Sequence, residues 1–157
     1  NLKIVKAEDL TGALKGRYAM LQQTETMIKK AKKSIKLMTT ENGLKELHEH
    51  HGHLLKKASD AGVKIQIAAP VNKNTTDVAK LLGKVAQIRN VEESELVRKL
   101  AGRFVLVDGE EFLVGLTDDV KTHPTQDVAL WTQSSHASSN IFEPMFELIW
   151  QHSKPVK

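Results

Sequence analysis

Met20, Thr24, Met27, Ile28 and Ala31 recur at the three- and four-residue intervals of one helix face, which predicts an amphipathic helix over Tyr18 to Lys33. It runs into a short β-type stretch, "SIKLMTT", from Ser34 to Thr40. A second helical pattern covers Leu44 to Ala58, with Leu44, Leu47, His51, Leu54, Leu55 and Ala58 on one face and Gly62 as its C-terminal stop. "VKIQIAAP" then reads as a strand closed by Pro70. Strand, helix and strand within about thirty residues form a βαβ unit with a right-handed crossover.

Beyond Pro70, Thr75 or Thr76 is a candidate N-cap for a short helix, and "KVAQIR" reads as a third strand. "NVEESELVRKL" is polar and reads as a loop with one helical turn. The runs "RFVLV" and "EFLVGL" flank Asp108 and Gly109, a dipeptide suited to a hairpin turn that needs positive φ at both central positions. Both runs are apolar almost without alternation, as expected of strands covered on two faces. A last strand is expected at "DVALWT". Phe142, Met145, Phe146 and Ile149 then form the docked stripe of a final helix, capped by Ser138 or Ser139. The fold class these patterns predict is α/β, a layered mixed sheet flanked by helices.

A chain of 157 residues accommodates one domain of this kind. Its 40% hydrophobic and 27% charged residues exclude the disordered class. No run of about 18 apolar residues exists to span a membrane, and the polar start "NLKIVKAED" is not a secretory signal. With no cysteine there is no disulfide framework, thiol nucleophile or thiolate metal site, and a cytoplasmic location is expected. The net charge of +4 raises nucleic acid as a partner, yet the excess sits mostly in "KKAKKSIK", Lys29 to Lys36, and only 4% of residues are aromatic. Lysines at the end of a helix favour its negative pole, so no direct nucleic-acid surface is expected.

Two clusters carry candidate chemistry. In "HEHHGH", His48 to His53, the zincin spacing would require histidine where Gly52 stands. His51 falls on the apolar stripe, which predicts a buried, neutral imidazole with a satisfied ring, the other histidines lying on a solvated flank where they could lend pH sensitivity. No metal ligand is assigned and no cofactor is expected. Asp118, Asp119 and His123 occupy a loop at a sheet end and suit either ordinary turn chemistry or an oxygen-rich cation or sugar site. Ser135 beside His136 does not make a nucleophile-to-base hydrogen bond.

The stretch "AGRFVLVDGEEFLVG", Ala101 to Gly115, behind a βαβ unit, resembles the repeat of the phospholipase D superfamily, whose motif is His, any residue, Lys, four residues and Asp, followed by a Gly–Ser pair. Aligned on Asp108, the histidine position holds Ala101, the lysine position Arg103, and the Gly–Ser pair falls near Gly115 and Leu116. The resemblance implies a phospholipase-D-like single repeat. Alanine cannot form the phosphohistidine intermediate, so no catalytic residue is expected. Arg103 suits a phosphate or carboxylate fork, or a pairing with Asp108 or Glu111.

The ordered series "ALKGRYAM", "AKKSIKLMTTENGL", "KKASDAGVKIQIAAP", "GRFVLVDGEEFLVGLTDD", "HPTQDVALW" and "FEPMFELIW" is similar to the C-terminal region of archaeal TrmB-type transcriptional regulators, over residues 12 to 151. That resemblance implies a small-molecule effector such as a sugar, a homodimer, and DNA contact only through a winged helix-turn-helix outside this chain, with residues 1–15 as the linker from it. The effector pocket is expected where strand ends converge: Thr39, Thr40 and Glu41 after the first strand, Ala69 and Pro70 after the second, Arg103 from the hairpin, and His123 and Trp131 nearby. Two other classes stand beside this reading. One is an active phosphodiesterase or nuclease of the same fold, which would pair two complete motifs; the other is a ligand-free dimerisation module without a concave polar pocket.

Overall fold

In the computed structural model, which describes residues 10–100 and 102–156, the alternation of side chains along β2 (Ser34–Met38) sorts the core into two layers. Ile35 and Leu37 face helices α1 (Arg17–Lys30) and α2 (Glu41–Asp60), while Met38 faces the opposite side. The neighbouring β3 (Lys64–Ala69) repeats the division: Ile65, Ile67 and Ala69 join the first layer and Ala68 the second. β4 (Gln87–Asn90) follows α3 (Thr76–Leu82), and β2, β3 and β4 run parallel in matched register.

The other half of the sheet is antiparallel. The hairpin β5 (Phe104–Val107) and β6 (Glu111–Gly115) pairs with β2 on one side and with β7 (Val128–Thr132) on the other. With β1 (Thr11–Lys15) on β7 and β8 (Lys154–Pro155) on β4, the eight strands lie in the order β1-β7-β6-β5-β2-β3-β4-β8. α4 (Ser135–Ala137), a π-helical turn at Ser138–Phe142 and α5 (Glu143–Gln151) cover the second face. There Phe146, Ile149 and Trp150 pack with Phe104, Leu106 and Phe112, and Phe112 stacks on Phe142 at 3.7 Å. All four residues of β5 are buried, because helices cover both faces of that strand.

The three-residue connection between β5 and β6 has φ of 56° at Asp108 and 65° at Gly109, the left-handed central pair of a turn closed by the Glu110 N–H on the Val107 carbonyl at 3.0 Å. Asp108 also holds the start of β2. Its carboxylate accepts backbone N–H groups from Lys32 (3.0 Å), Lys33 (2.7 Å) and Ser34 (2.9 Å). α1 therefore ends at Lys30, earlier than its periodicity predicts, and Ala31 is extended with ψ of 134°.

Other expectations are also corrected. Thr11–Lys15, placed in a linker by sequence, pairs along its whole length with β7, from Thr11 opposite Thr132 to Lys15 opposite Val128. As a half-exposed edge strand it carries little apolar signal. Residues 1–9 of that linker, and Ala101, lie outside the described residues. Lys29 to Lys36 does not form one surface: Lys36 lies in β2 and its ammonium donates to Glu147 (2.9 Å) and Glu143 (3.3 Å) of α5. Ser134 caps α4, its hydroxyl accepting from the Ala137 N–H, and the final helix α5 has no side-chain cap. Ser138 and Ser139 instead donate to the Glu110 and Gly109 carbonyls, at 3.0 and 2.9 Å, pinning the π turn to the hairpin. No helix among the described residues is long and apolar enough to cross a membrane.

Candidate functional site

Asp127, immediately before β7, is fully buried, and an isolated buried carboxylate would be costly. Its partners converge from three elements. Arg103, at the mouth of β5, donates to both carboxylate oxygens at 3.1 and 3.2 Å; Arg17, the first residue of α1, donates from Nε at 2.6 Å; the Thr117 hydroxyl donates at 2.7 Å. Gly16, with φ of 94°, turns the chain from β1 into α1 and donates its N–H to the Asp127 carbonyl, which sets Arg17 in place. Burial pushes the Asp127 carboxyl upward, but the bonds from Arg103, Thr117 and Arg17 outweigh it and hold the group below the usual carboxylate range.

The Arg103 guanidinium lies flat against the backbone of Gly115, where a β-carbon would stand 3.0 to 3.2 Å from three of its atoms. The position at which the phospholipase D repeat carries glycine is thus the position over which this arginine rests. Arg103 is paired with Asp127 rather than with Asp108 or Glu111, because those two lie at the opposite ends of β5 and β6.

Beneath the two arginines is a cavity of about 80 Å³ between α1, α2 and the ends of β2, β5 and β6. Met20, Leu37, Leu47, Phe104, Val105 and Leu113 form most of its wall. Thr24, Thr39, Glu46, His51, Arg17 and Arg103 supply its polar groups. Thr39 fits because position 43 is glycine; any side chain there would collide with the threonine hydroxyl. Burial raises the Glu46 carboxyl above its ordinary value, opposed by Arg17 and assisted by Asp119.

His51 is 3% exposed, and neither ring nitrogen has a hydrogen-bond partner among the described residues. It is buried as its place on the apolar stripe predicts, but the expected satisfied ring is not found. Burial pushes its pKa down; Glu25 opposes that shift, while His50 and His53 add to it. His48, His50 and His53 are exposed.

Of the residues expected at an effector pocket, Thr39 and Arg103 line this cavity. Thr40 sits beside it as the N-cap of α2, accepting from the Gly43 N–H and donating to Asp119 at 2.5 Å. Glu41 points away to Asn74, and Ala69 and Pro70 lie outside the lining. His123 is exposed and caps the 3₁₀ turn Pro124–Gln126. Trp131 donates to Glu111 at 2.7 Å, at the far end of β6 from Arg103. Asp118 closes a turn by accepting from Val120 and Lys121. Among the described residues, no three His, Asp or Glu side chains are grouped to hold a metal ion. Arg17, Glu46, His51 and Asp127 were not assigned to the pocket by sequence. Spacing offered a hint for α2 alone, where Gly43, Glu46, Leu47 and His51 share one face.

Solved structures share this architecture. NucT from Helicobacter pylori superposes with a TM-score of 0.74 at 14% identity, covering 93% of this chain and 98% of that one. Nuc from Salmonella typhimurium, a phospholipase D family member, gives 0.69 at 13% identity over 94% and 99%. The archaeal chromatin protein TrmBL2, whose structure shows a novel mode of DNA binding, gives 0.68 at 19% identity; the match covers 98% of this chain but 57% of TrmBL2. At such identities the likeness establishes a phospholipase-D-like fold. No curated protein matches the chain. The family model for the transcriptional regulator TrmB, EBD N-terminal subdomain, matches residues 13–157, and the chain belongs to that family of effector-binding domains.

Proposed function

We propose that this chain is the ligand-sensing part of a transcriptional regulator, that its effector enters the cavity beneath Arg103, and that it performs no phosphodiester chemistry. The observation that carries the reading is the junction of an internally neutralised arginine pair with a mostly apolar pocket, open to solvent, that retains a buried imidazole. Ala101 offers no nucleophile, and Arg103 is engaged by Asp127. In this reading DNA is contacted through a further part of the regulator, as the partial match to TrmBL2 allows.

Signalling would proceed by population shift, the effector favouring one arrangement of two subunits over another. Tyr18, Leu116 and Val120 are exposed apolar side chains adjacent in sequence to Arg17, Thr117 and Asp119, and this end of the sheet supports a docking face for a second copy. Sedimentation of the wild type and Val120→Asp tests the pairing. A monomeric wild type would remove it.

A thermal-shift screen with alcohols, sugars, carboxylates and nucleotides, followed by calorimetry, tests the sensor. A saturable stabilisation weakened by Arg103→Ala but not by Trp131→Phe supports this pocket. Turnover of a generic phosphodiester such as bis(p-nitrophenyl) phosphate would overturn the non-catalytic assignment.

A further inference from the structure

The effector-binding reading leaves the chemistry of the ligand open, and three features of the cavity restrict it. The first is charge. Arg17 and Arg103 face Asp127 directly, and the Glu46 carboxylate lies 3.9 Å from Arg17. The Arg17 guanidinium also donates to the Asp119 carbonyl, and that of Arg103 to the Thr117 carbonyl. Two cations are therefore matched by two anions before any ligand arrives, and Asp119 stands close enough to influence Glu46. Such a mouth gives an anionic ligand no net attraction.

The second feature is size and lining. An apolar cavity of about 150 Å³ is known to hold benzene, and each water needs roughly 10–15 Å³. At about 80 Å³ the interior of this pocket takes a group smaller than a benzene ring, while its open side lets a larger molecule project outward. A hexose would need expansion, and Thr24, Thr39, Glu46 and the arginines offer partners to only some of its hydroxyls, the rest facing methionine, leucine, valine and phenylalanine.

The third feature is His51. Its ring lines the cavity, is almost wholly buried, and has no protein partner among the described residues on either nitrogen. A buried polar group in this condition calls for a hydrogen bond from whatever occupies the space. As a neutral imidazole it offers one donor and one acceptor, the complement of a hydroxyl group.

Resting on the effector-binding reading, we infer that the cavity receives a neutral, short aliphatic alcohol, or the alcohol-bearing end of a larger effector, and that the ligand hydroxyl bonds the ring of His51. Arg103 and Arg17 line the mouth; the residue that identifies the ligand is the histidine beneath them.

The test follows the ring resonances of His51 in the ¹⁵N-histidine-labelled 157-residue chain during titration with isobutanol, isobutyrate and glucose. Isobutanol is expected to move the His51 nitrogens saturably in the millimolar range, leaving exposed His48 and His53 in place. Isobutyrate and glucose are expected to leave His51 unmoved. His51→Phe, which keeps an apolar filler but no hydrogen bond, should weaken isobutanol by about tenfold or more. His51→Gln, which retains a donor and an acceptor, should stay within a few-fold of the wild type and guards against a folding defect in the first variant.

A His51 response to isobutyrate or glucose, isobutanol binding unaltered in His51→Phe, or a silent ring up to the solubility limit each overturns the inference. If another ligand class stabilises the chain while His51 stays silent, the sensor reading survives without this chemistry. If nothing binds, both fall.

Discussion

Arg103 and Asp127 meet through a two-pronged contact, Nη2 to Oδ1 at 3.1 Å and Nη1 to Oδ2 at 3.2 Å, across 24 residues of sequence. Arg17 and Thr117 complete the shell, so Asp127 is the hub and each donor is one spoke. Asp127→Ala should lower unfolding free energy by about 3–5 kcal/mol, since it leaves two guanidinium groups facing each other. Arg103→Ala should cost less, about 1–3 kcal/mol, because Arg17 and Thr117 still hold the carboxylate. Urea denaturation of both variants checks the order. Arg103→Ala proving the more damaging would show that the arginine has partners beyond this hub.

The same hub dictates an acid limb. The Asp127 carboxyl titrates below its ordinary 3.8 in the folded chain because its three donors outweigh burial. A depressed folded pKa means that the folded state releases its proton more readily than the unfolded one. The resulting stability is fully present above about pH 4 and is lost as pH falls through the folded value. Asp127→Asn should be less stable at neutral pH yet lose less on acidification from pH 5 to pH 2. Parallel acid limbs would place the acid sensitivity in other carboxylates.

Much of the layered sheet was legible because its signals are local. The 3.6-residue periods of α1 and α2, the β-type runs of β2 and β3 and the Asp-Gly turn are each local to their own segment. Thr39 and Arg103 line the cavity by the same local logic, as residues at strand ends. The hub was not legible in this way, because Arg17, Arg103 and Asp127 become neighbours only after β1, β7, β6 and β5 assemble side by side. Trp131 was misplaced for a related reason: an aromatic near a strand end reads as a pocket wall until the strand direction is known. In β7 that end lies beside Glu111 and Lys30, away from the cavity.

Asp108 joins the hairpin turn to the start of β2. It stands where the phospholipase D repeat carries its aspartate, and it accepts three backbone N–H groups between α1 and β2 while adopting φ of 56°. Asp108→Ala loses those acceptors and places alanine in the left-handed region, an expected cost of about 2–4 kcal/mol. Asp108→Gly relieves the backbone strain but not the loss of acceptors, so it should recover only part. Ligand affinity at the distant cavity should be unchanged in both once folding is accounted for. A specific loss of affinity in calorimetry would mean that the aspartate acts on the site.

His51 should leave its own mark on stability near neutral pH. Its pKa is lowered from 6.5 chiefly by burial, with Glu25 of α1 opposing and His50 and His53 reinforcing the shift. Arg17, Arg103 and Glu46 line the same cavity, where the two guanidinium groups are matched by Asp127 and Glu46. The unfolded chain therefore takes up the proton first. Stability is fully present above about pH 6.5 and falls as pH drops through that value toward the folded pKa, by at most about 1.4 kcal/mol per pH unit for one group. Unfolding free energies of the wild type and His51→Gln between pH 7.5 and 5 isolate this proton, because the exposed histidines are common to both. The wild type should lose stability more steeply over that interval. Equal slopes would mean that His51 titrates as an exposed imidazole and that the cavity does not seal it from water.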